Sequence, residues 1–291
     1  MKRNQKIPVP ALLATVAFLS VSCVKDSGML PACEAAMDFD IVFPSSRASS
    51  TAFEPGDCIS LFAVEQPGER AVPLQIAGNY INNERLSFDG SVWSAAKKLY
   101  WSDVPCDFYA VYPYQKEISS IEDDAFSLVP DQNVGYQEND LMYACAEGWS
   151  RVNGPVYLQF SHMLSKCNVT IVKGESFEGE IPDDIEVHIY NTVTDGRLDW
   201  TKGSAVKDPH GARHTITMRK LDREHFEAIV VPQNIEKRTP LIEVSMGGIA
   251  YLLEYSLSFR PGMEHTIRLT VNTSPDQEMI EISIDPSINN N

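Results

Sequence analysis

The sequence predicts an all-β protein, and three observations carry that expectation. Apolar residues recur with a period of two in short runs, as in Met37, Phe39, Ile41 and Phe43, which is the signature of half-buried strands. Turn-forming clusters such as Glu54-Pro55-Gly56-Asp57 and Asp89-Gly90 separate these runs at the spacing a β-sandwich gives. No helical period is sustained beyond a turn or two. A length of 291 residues suits two domains of ordinary size better than one.

The first strand-like segment, Met37 to Phe43, places Asp38 and Asp40 on the face opposite its apolar residues, and Pro44 ends it because proline cannot donate to a ladder. Ser45 to Thr51 follows as a small-residue loop holding Arg47 and Ala48. Such a loop is the kind of site proteases cut, and equally it suits an ordinary solvated arginine. Cutting after Arg47 would free the first strand and leave an apolar slot with an unpaired sheet edge, which another chain could fill by strand addition.

Further along, Ile59, Leu61 and Ala63 alternate with Cys58, Ser60 and Phe62. Asn79 to Phe88 is expected to break into a hairpin at Asn82-Asn83, ahead of Trp93. Leu99 to Trp101 and Phe108 to Tyr114 are aromatic-rich and read as core strands. Glu122-Asp123-Asp124 reads as a solvated loop. The second half is expected to open with a hairpin of Val156 to Phe160 and Cys167 to Val172, followed by strands near residues 185–190, 214–218, 226–231, 241–246, 250–259 and 265–271. The last candidate strand, Met279 to Ile284, sets Ile280, Ile282 and Ile284 on one face. It either closes its own sheet as an edge strand or serves as a donated strand.

Composition narrows the function classes. A content of 43% hydrophobic and 22% charged residues is that of a folded globular chain. The formal net charge of −16 argues against nucleic acid as a partner. Lys2, Arg3 and Lys6 precede the apolar run Ala11 to Val21, which is too short for a stable bilayer span and has the layout of a secretory signal peptide. It ends Leu19-Ser20-Val21-Ser22-Cys23, which resembles a bacterial lipobox, so Cys23 is the expected lipidation site. Setting Cys23 aside leaves five cysteines with no CxxC spacing, so at least one thiol is unpaired and a zinc or redox site is not expected.

Chemistry of the catalytic kind finds no motif. There is no GxSxG, P-loop or dinucleotide fingerprint. His210 and His214 are separated by four residues, but Pro209 and Gly211 place them in a loop, and Asp183, Asp184 and Glu186 read as a solvated corner. His162 reads as structural at a strand end. The expectation is a non-enzyme with no cofactor and no metal.

Several phrases together resemble one family. They are Phe53-Glu54-Pro55-Gly56-Asp57 with Ile59, Leu61 and Phe62; Leu99-Tyr100-Trp101; Tyr109-Ala110-Val111-Tyr112-Pro113-Tyr114; and Asp140-Leu141-Met142-Tyr143-Ala144. They continue through Leu158, Phe160, His162, Leu164, Ser165 and Lys166, then Val231-Pro232-Gln233, and end in Phe259-Arg260-Pro261-Gly262 with Leu269-Thr270-Val271-Asn272. In order and coverage these are similar to the fimbrillin-like pilins and adhesins of Bacteroides-type Gram-negative bacteria.

The resemblance implies two transthyretin-like β-sandwich domains in tandem, here read as residues 37–152 and 153–291, behind a signal peptide of 1–22 and a lipid-anchored linker of 23–36. It implies export to the outer membrane and cell surface, and in polymerising members an arginine-specific cut that removes the first strand. The matching positions are Arg47 and Ala48 for the cut and Met37, Phe39, Ile41 and Phe43 for the leaving strand. Ile280, Ile282 and Ile284 are the candidate donor. Arg70-Ala71 is a second basic loop site. The partners implied are other fimbrial subunits, the outer membrane through the lipid anchor, and a host or bacterial surface ligand. The alternative function is an unpolymerised outer-membrane surface lipoprotein that binds glycan or host ligand through exposed aromatics such as Trp93, Trp149 and Trp200.

Overall fold

The computed structural model describes residues 35–44 and 52–272, with the strand backbone of 280–284. In chain order the strands of the first half are β1 (Phe39–Val42), β2 (Cys58–Glu65), β3 (Ile81–Phe88), β4 (Trp93–Ala95), β5 (Cys106–Tyr112), β6 (Asp124–Ser127), β7 (Met142–Trp149), β8 (Val156–Gln159) and β9 (Ser161–His162). There follow β10 (Ser165–Lys173), β11 (Glu186–Val193), β12 (Asp195–Asp199), β13 (Ser204–Lys207), β14 (Arg213–Thr217), β15 (Arg219–Lys220) and β16 (His225–Val230). The last are β17 (Gln233–Ile235), β18 (Pro240–Met246), β19 (Ile249–Glu254), β20 (Leu257–Phe259), β21 (Glu264–Val271) and β22 (Ile280–Ile284). Among the described residues helix is confined to one turn, α1 (Gln132–Gly135), and short 3-10 turns. The all-β expectation holds.

A six-stranded sheet in the order β4-β3-β2-β5-β7-β9 organises the first half. Its central strand β2 is buried on both faces. Ile59, Leu61 and Ala63 enter a first core with Phe108, Met142 and Phe160, while Phe62 and Val64 enter another with Trp200 and Ile229. Burial on both faces is why Ile59 to Val64 reads as a nearly continuous apolar run. A second-half core is built from the five-stranded sheet β15-β16-β10-β21-β22 and the four-stranded sheet β14-β11-β18-β19, with Cys167, Val169, Ile189, Val244 and Leu269 inside.

The core containing Trp200 draws on both halves of the chain. Strand β6 pairs with β12, and the Trp200 indole Nε1 donates to Asp124 Oδ2 at 3.2 Å. The Gln132 amide stands in for a neighbouring strand: its Nε2 donates to the Ile229 carbonyl and its Oε1 accepts from the Ile229 amide, each at 2.7 Å. Asp124 is therefore buried, not part of a solvated loop, because it accepts from Trp200 and from Ser119.

Two further expectations are corrected. The chain does not turn at Asn82-Asn83. Strand β3 runs straight through, and the extra residue is absorbed as a register shift opposite Leu61 and Ala63, with Asn83 at φ +39°. This is a β-bulge. Nor does Val156 to Phe160 form a hairpin with β10. Strand β8 pairs in parallel with β1, and Val156, Leu158 and Phe160 lie in the first core.

Candidate functional site: the slot of the first strand

Strand β1 contributes side chains to a core while hanging from one ladder. Among the described residues its only strand partner is β8, in a two-stranded parallel sheet. Beyond the ladder, the amide of Val156 donates to the Asp38 carbonyl at 2.8 Å and that of Phe160 to the Val42 carbonyl at 3.0 Å. Ahead of β1, the Met37 amide donates to the Leu99 carbonyl at 2.8 Å. Met37 is buried in the first core, and Phe39, Ile41 and Phe43 pack against it half-buried, with Asp38 and Asp40 exposed. The expected alternation is present. Burial of these four side chains is worth about 4–7 kcal/mol, counting the half-buried ones at half weight.

The unpaired side of β1 faces a groove of about 450 Å³, whose far wall is Phe88, Ser91, Val92 and Trp93. A second cleft of about 230 Å³ opens beside Phe43 and Ala52 and is lined by Glu54, Asp57, Tyr112 and Asp140. Phe53 forms the wall common to both. Its ring meets Phe43 and Trp93 edge-on at centroid distances of 5.0 Å each, Tyr112 at 5.6 Å and Phe160 at 5.7 Å. Such edge-to-face pairs add to plain area burial.

Polar groups fix the acidic mouth of the second cleft. The Tyr112 hydroxyl donates to Asp57 Oδ1 at 3.0 Å. Burial, reinforced by the Asp57 charge, raises the Tyr112 hydroxyl well above the ordinary tyrosine range, so it stays protonated and able to donate. Asp57 Oδ2 accepts from the Glu54 amide at 2.8 Å, closing the Glu54–Asp57 turn. His162, fully buried, pairs through Nδ1 with Asp140 at 2.8 Å and meets the Phe43 ring at 5.9 Å. The reading of His162 as a structural residue at a strand end matches its place in β9.

The remaining candidate residues scatter. Cys23, Arg47 and Ala48 lie outside the described residues. Arg70 is exposed. The β22 segment carrying Ile280, Ile282 and Ile284 runs antiparallel to β21, Val271 opposite Ile280 and Ile267 opposite Ile284, at the edge of the five-stranded sheet. The aromatic surface is corrected: Trp200 and Trp93 are buried, and Trp149 packs half-buried with its Nε1 donating to the Pro155 carbonyl. His210 and His214 are both exposed, and among the described residues no cluster of three His, Cys, Asp or Glu side chains is placed to hold a metal. Cys58, Cys106, Cys145 and Cys167 are free thiols in strands.

Against known proteins, a family model described as fimbrillin-like matches residues 46–290. The chain belongs to the fimbrillin-like family. A curated relative, the Bacteroides ovatus protein named "Putative fimbrium tip subunit Fim1C", is 33% identical over 148 residues. That match covers 45% of this fimbrillin-like chain but 26% of the relative, so the chain spans about a quarter of its length. Two solved structures share the fold. A "putative cell adhesion protein" from Bacteroides uniformis superposes with a TM-score of 0.68 at 20% identity, covering 86% of this chain and 96% of that one. Another so described, from Bacteroides ovatus, gives 0.69 at 16% identity over 86% and 95%.

Sequence reasoning placed Phe53 inside a family-like phrase but gave it no role. Its position immediately before the Glu54–Asp57 turn carries no burial signal of its own. The Asp57–Tyr112 and Asp140–His162 pairs were equally hidden, because each joins residues far apart in the chain.

Proposed function

We propose that this chain is a non-enzymatic subunit of a surface fimbrium, exported as a lipoprotein through Cys23 and joined to its neighbours by strand exchange. The observation that carries the reading is β1 itself, a strand with apolar anchors in the first core whose one strand ladder among the described residues is the parallel one to β8. Parallel pairs are slightly less stable per residue than antiparallel ones, and the groove beside β1 already leaves its other edge open. Removal of β1 after cleavage at Arg47 would vacate sites for Met37, Phe39, Ile41 and Phe43. A strand with alternating isoleucines, such as Ile280, Ile282 and Ile284 of a neighbouring subunit, has the period to fill them.

Family membership and the fimbrial and adhesive descriptions of its relatives support the same reading. The placement at the outer membrane rests on the signal and Cys23. The division into tandem sandwiches at residues 37–152 and 153–291 is part of this proposal.

The experiment is the N-terminus and intact mass of the protein recovered from the cell surface. A chain starting at Ala48 is expected. A chain retaining acylated Cys23 sinks the processing step and leaves an anchor subunit or an unpolymerised lipoprotein. In parallel, Ile282→Asp should abolish high-mass ladders on unheated gels, and unchanged ladders would remove β22 as the donor.

A further inference from the structure

A second concavity lies on the outward face of the five-stranded sheet, remote in sequence from the β1 slot. Its volume is about 290 Å³, at the lower end of what small-ligand sites occupy. The floor is a row of polar side chains in register across three strands: Asn168 on β10 stands opposite Glu227 on β16 and Thr266 on β21, and Thr170 stands opposite His225. Two charges are sunk into it. Lys166 and Glu227 are each at least 98% buried and meet at 2.7 Å. Buried ion pairs are seldom worth more to stability than apolar residues of the same volume, so the pair is not explained by folding alone.

The walls are held in place without a ligand. On one side Asp222 accepts from the amides of Glu224 and His225 at 2.7 and 2.8 Å and pairs with the His225 ring at 2.9 Å. On the other, Asn168 donates to Glu264. Leu221, 51% exposed, forms an apolar lip.

We infer that this groove binds one neutral hexose unit of a glycan. Hydroxyl groups both donate and accept, and over the buried Lys166–Glu227 pair the groove sets donors (the Thr170 and Thr266 hydroxyls) beside carboxylate acceptors (Glu264, Asp222). Leu221 supplies apolar surface for the C–H face of a sugar ring. Three carboxylates against Lys166 and His225, in a chain of net charge −16, disfavour an anionic ligand. The inference goes beyond subunit assembly and does not depend on it, because polymer ladders report on assembly separately.

The test presents the full chain to immobilised glycans ending in glucose, galactose, mannose or N-acetylhexosamine, and follows amide exchange with the same sugars free in solution. Binding of at least one neutral sugar is expected, with slowed exchange in β10 and β21. Thr266→Trp, which fills the groove, and Asn168→Ala should each weaken it by about tenfold or more, while Tyr157→Ala on β8 should not. Circular dichroism of both variants establishes that the fold is kept. Absence of any sugar binding, binding that survives both substitutions, or salt-sensitive binding of amines alone would each overturn the assignment.

Discussion

The ring of Phe43 stands edge-on to that of Phe53, with centroids 5.0 Å apart and planes at 81°, so the two residues clasp the chain on either side of the segment that carries Arg47. A cut in that segment breaks the covalent link but not the clasp. Release of β1 must then overcome the apolar burial of Met37, Phe39, Ile41 and Phe43, and Phe43 is the residue nearest the cut.

Phe43→Ala should therefore weaken retention of β1 more than it weakens the fold. Truncating a half-buried phenylalanine and its aromatic pairs should cost about 2 kcal/mol, below the 3–5 kcal/mol of a fully buried one. With the chain nicked at Arg47, the residue 23–47 peptide should dissociate at least about tenfold faster from the variant. Size exclusion of the nicked protein over time measures this. Equal release rates would show that the clasp plays no part.

The Lys166–Glu227 pair makes a separate claim on stability. Glu227 also accepts from Arg219 Nη1 at 3.1 Å, and Arg219 is partly open to water while Lys166 is not. Glu227→Ala removes the carboxylate paired with a buried ammonium and should cost about 3–5 kcal/mol. The double variant Lys166→Met with Glu227→Leu should recover most of that loss, as read from urea midpoints. A double variant no more stable than Glu227→Ala would mean that the pair holds the sheet together by more than its own charges.

Much of the architecture was legible because burial writes itself into alternation. β1, β2 and β22 were found from period-two patterns, though β2 proved to be buried on both faces. What was not legible depended on contacts between distant residues. Strand β12 has the sequence Asp-Gly-Arg-Leu-Asp, which no propensity marks as a strand, and it exists because β6 and β13 pair with it. The tryptophans misled for a related reason, since an indole looks the same in sequence whether a neighbour covers it or not. Of the candidate site, the first strand was readable as a strand, whereas the Phe53 aromatic hub and the polar floor around Asn168 became visible only once the sheets were assembled.

Asn82-Asn83 shows how a local signal loses to a global one. A turn there would have ended β3, but pairing on both sides of the dipeptide with β2 holds the strand through it. Asn83 sits at φ +39° and donates through Nδ2 to the Gln115 carbonyl at 2.8 Å. Asn83→Gly keeps the conformation and loses the bond, a cost of about 1 kcal/mol. Asn83→Val adds backbone strain for a β-branched residue and should cost about 2–4 kcal/mol in all. Thermal unfolding of the two variants separates the terms, and equal midpoints would mean that strain contributes nothing.

Stability should fall on both sides of neutrality, for different residues. Burial, with Arg260 nearby as the lesser cause, depresses the His265 pKa below its ordinary 6.5. The unfolded chain therefore binds the proton first, and stability is lost as pH falls below about 6.5. On the alkaline side, burial pushes the Cys167 thiol up to about 12 and the Cys106 thiol to about 11, from an ordinary 9.0. Here the unfolded chain loses its protons first, so stability declines as pH rises from about 9 towards those values, by roughly 3–4 kcal/mol for Cys167 if its shift is fully expressed. Urea titrations at pH 5.5, 7.5 and 10 should place the maximum at the middle value. His265→Gln should flatten the acid limb and Cys167→Ala the alkaline one. If each limb keeps its slope in its own variant, other groups carry the pH dependence, the raised tyrosines Tyr109 and Tyr112 first among them on the alkaline side.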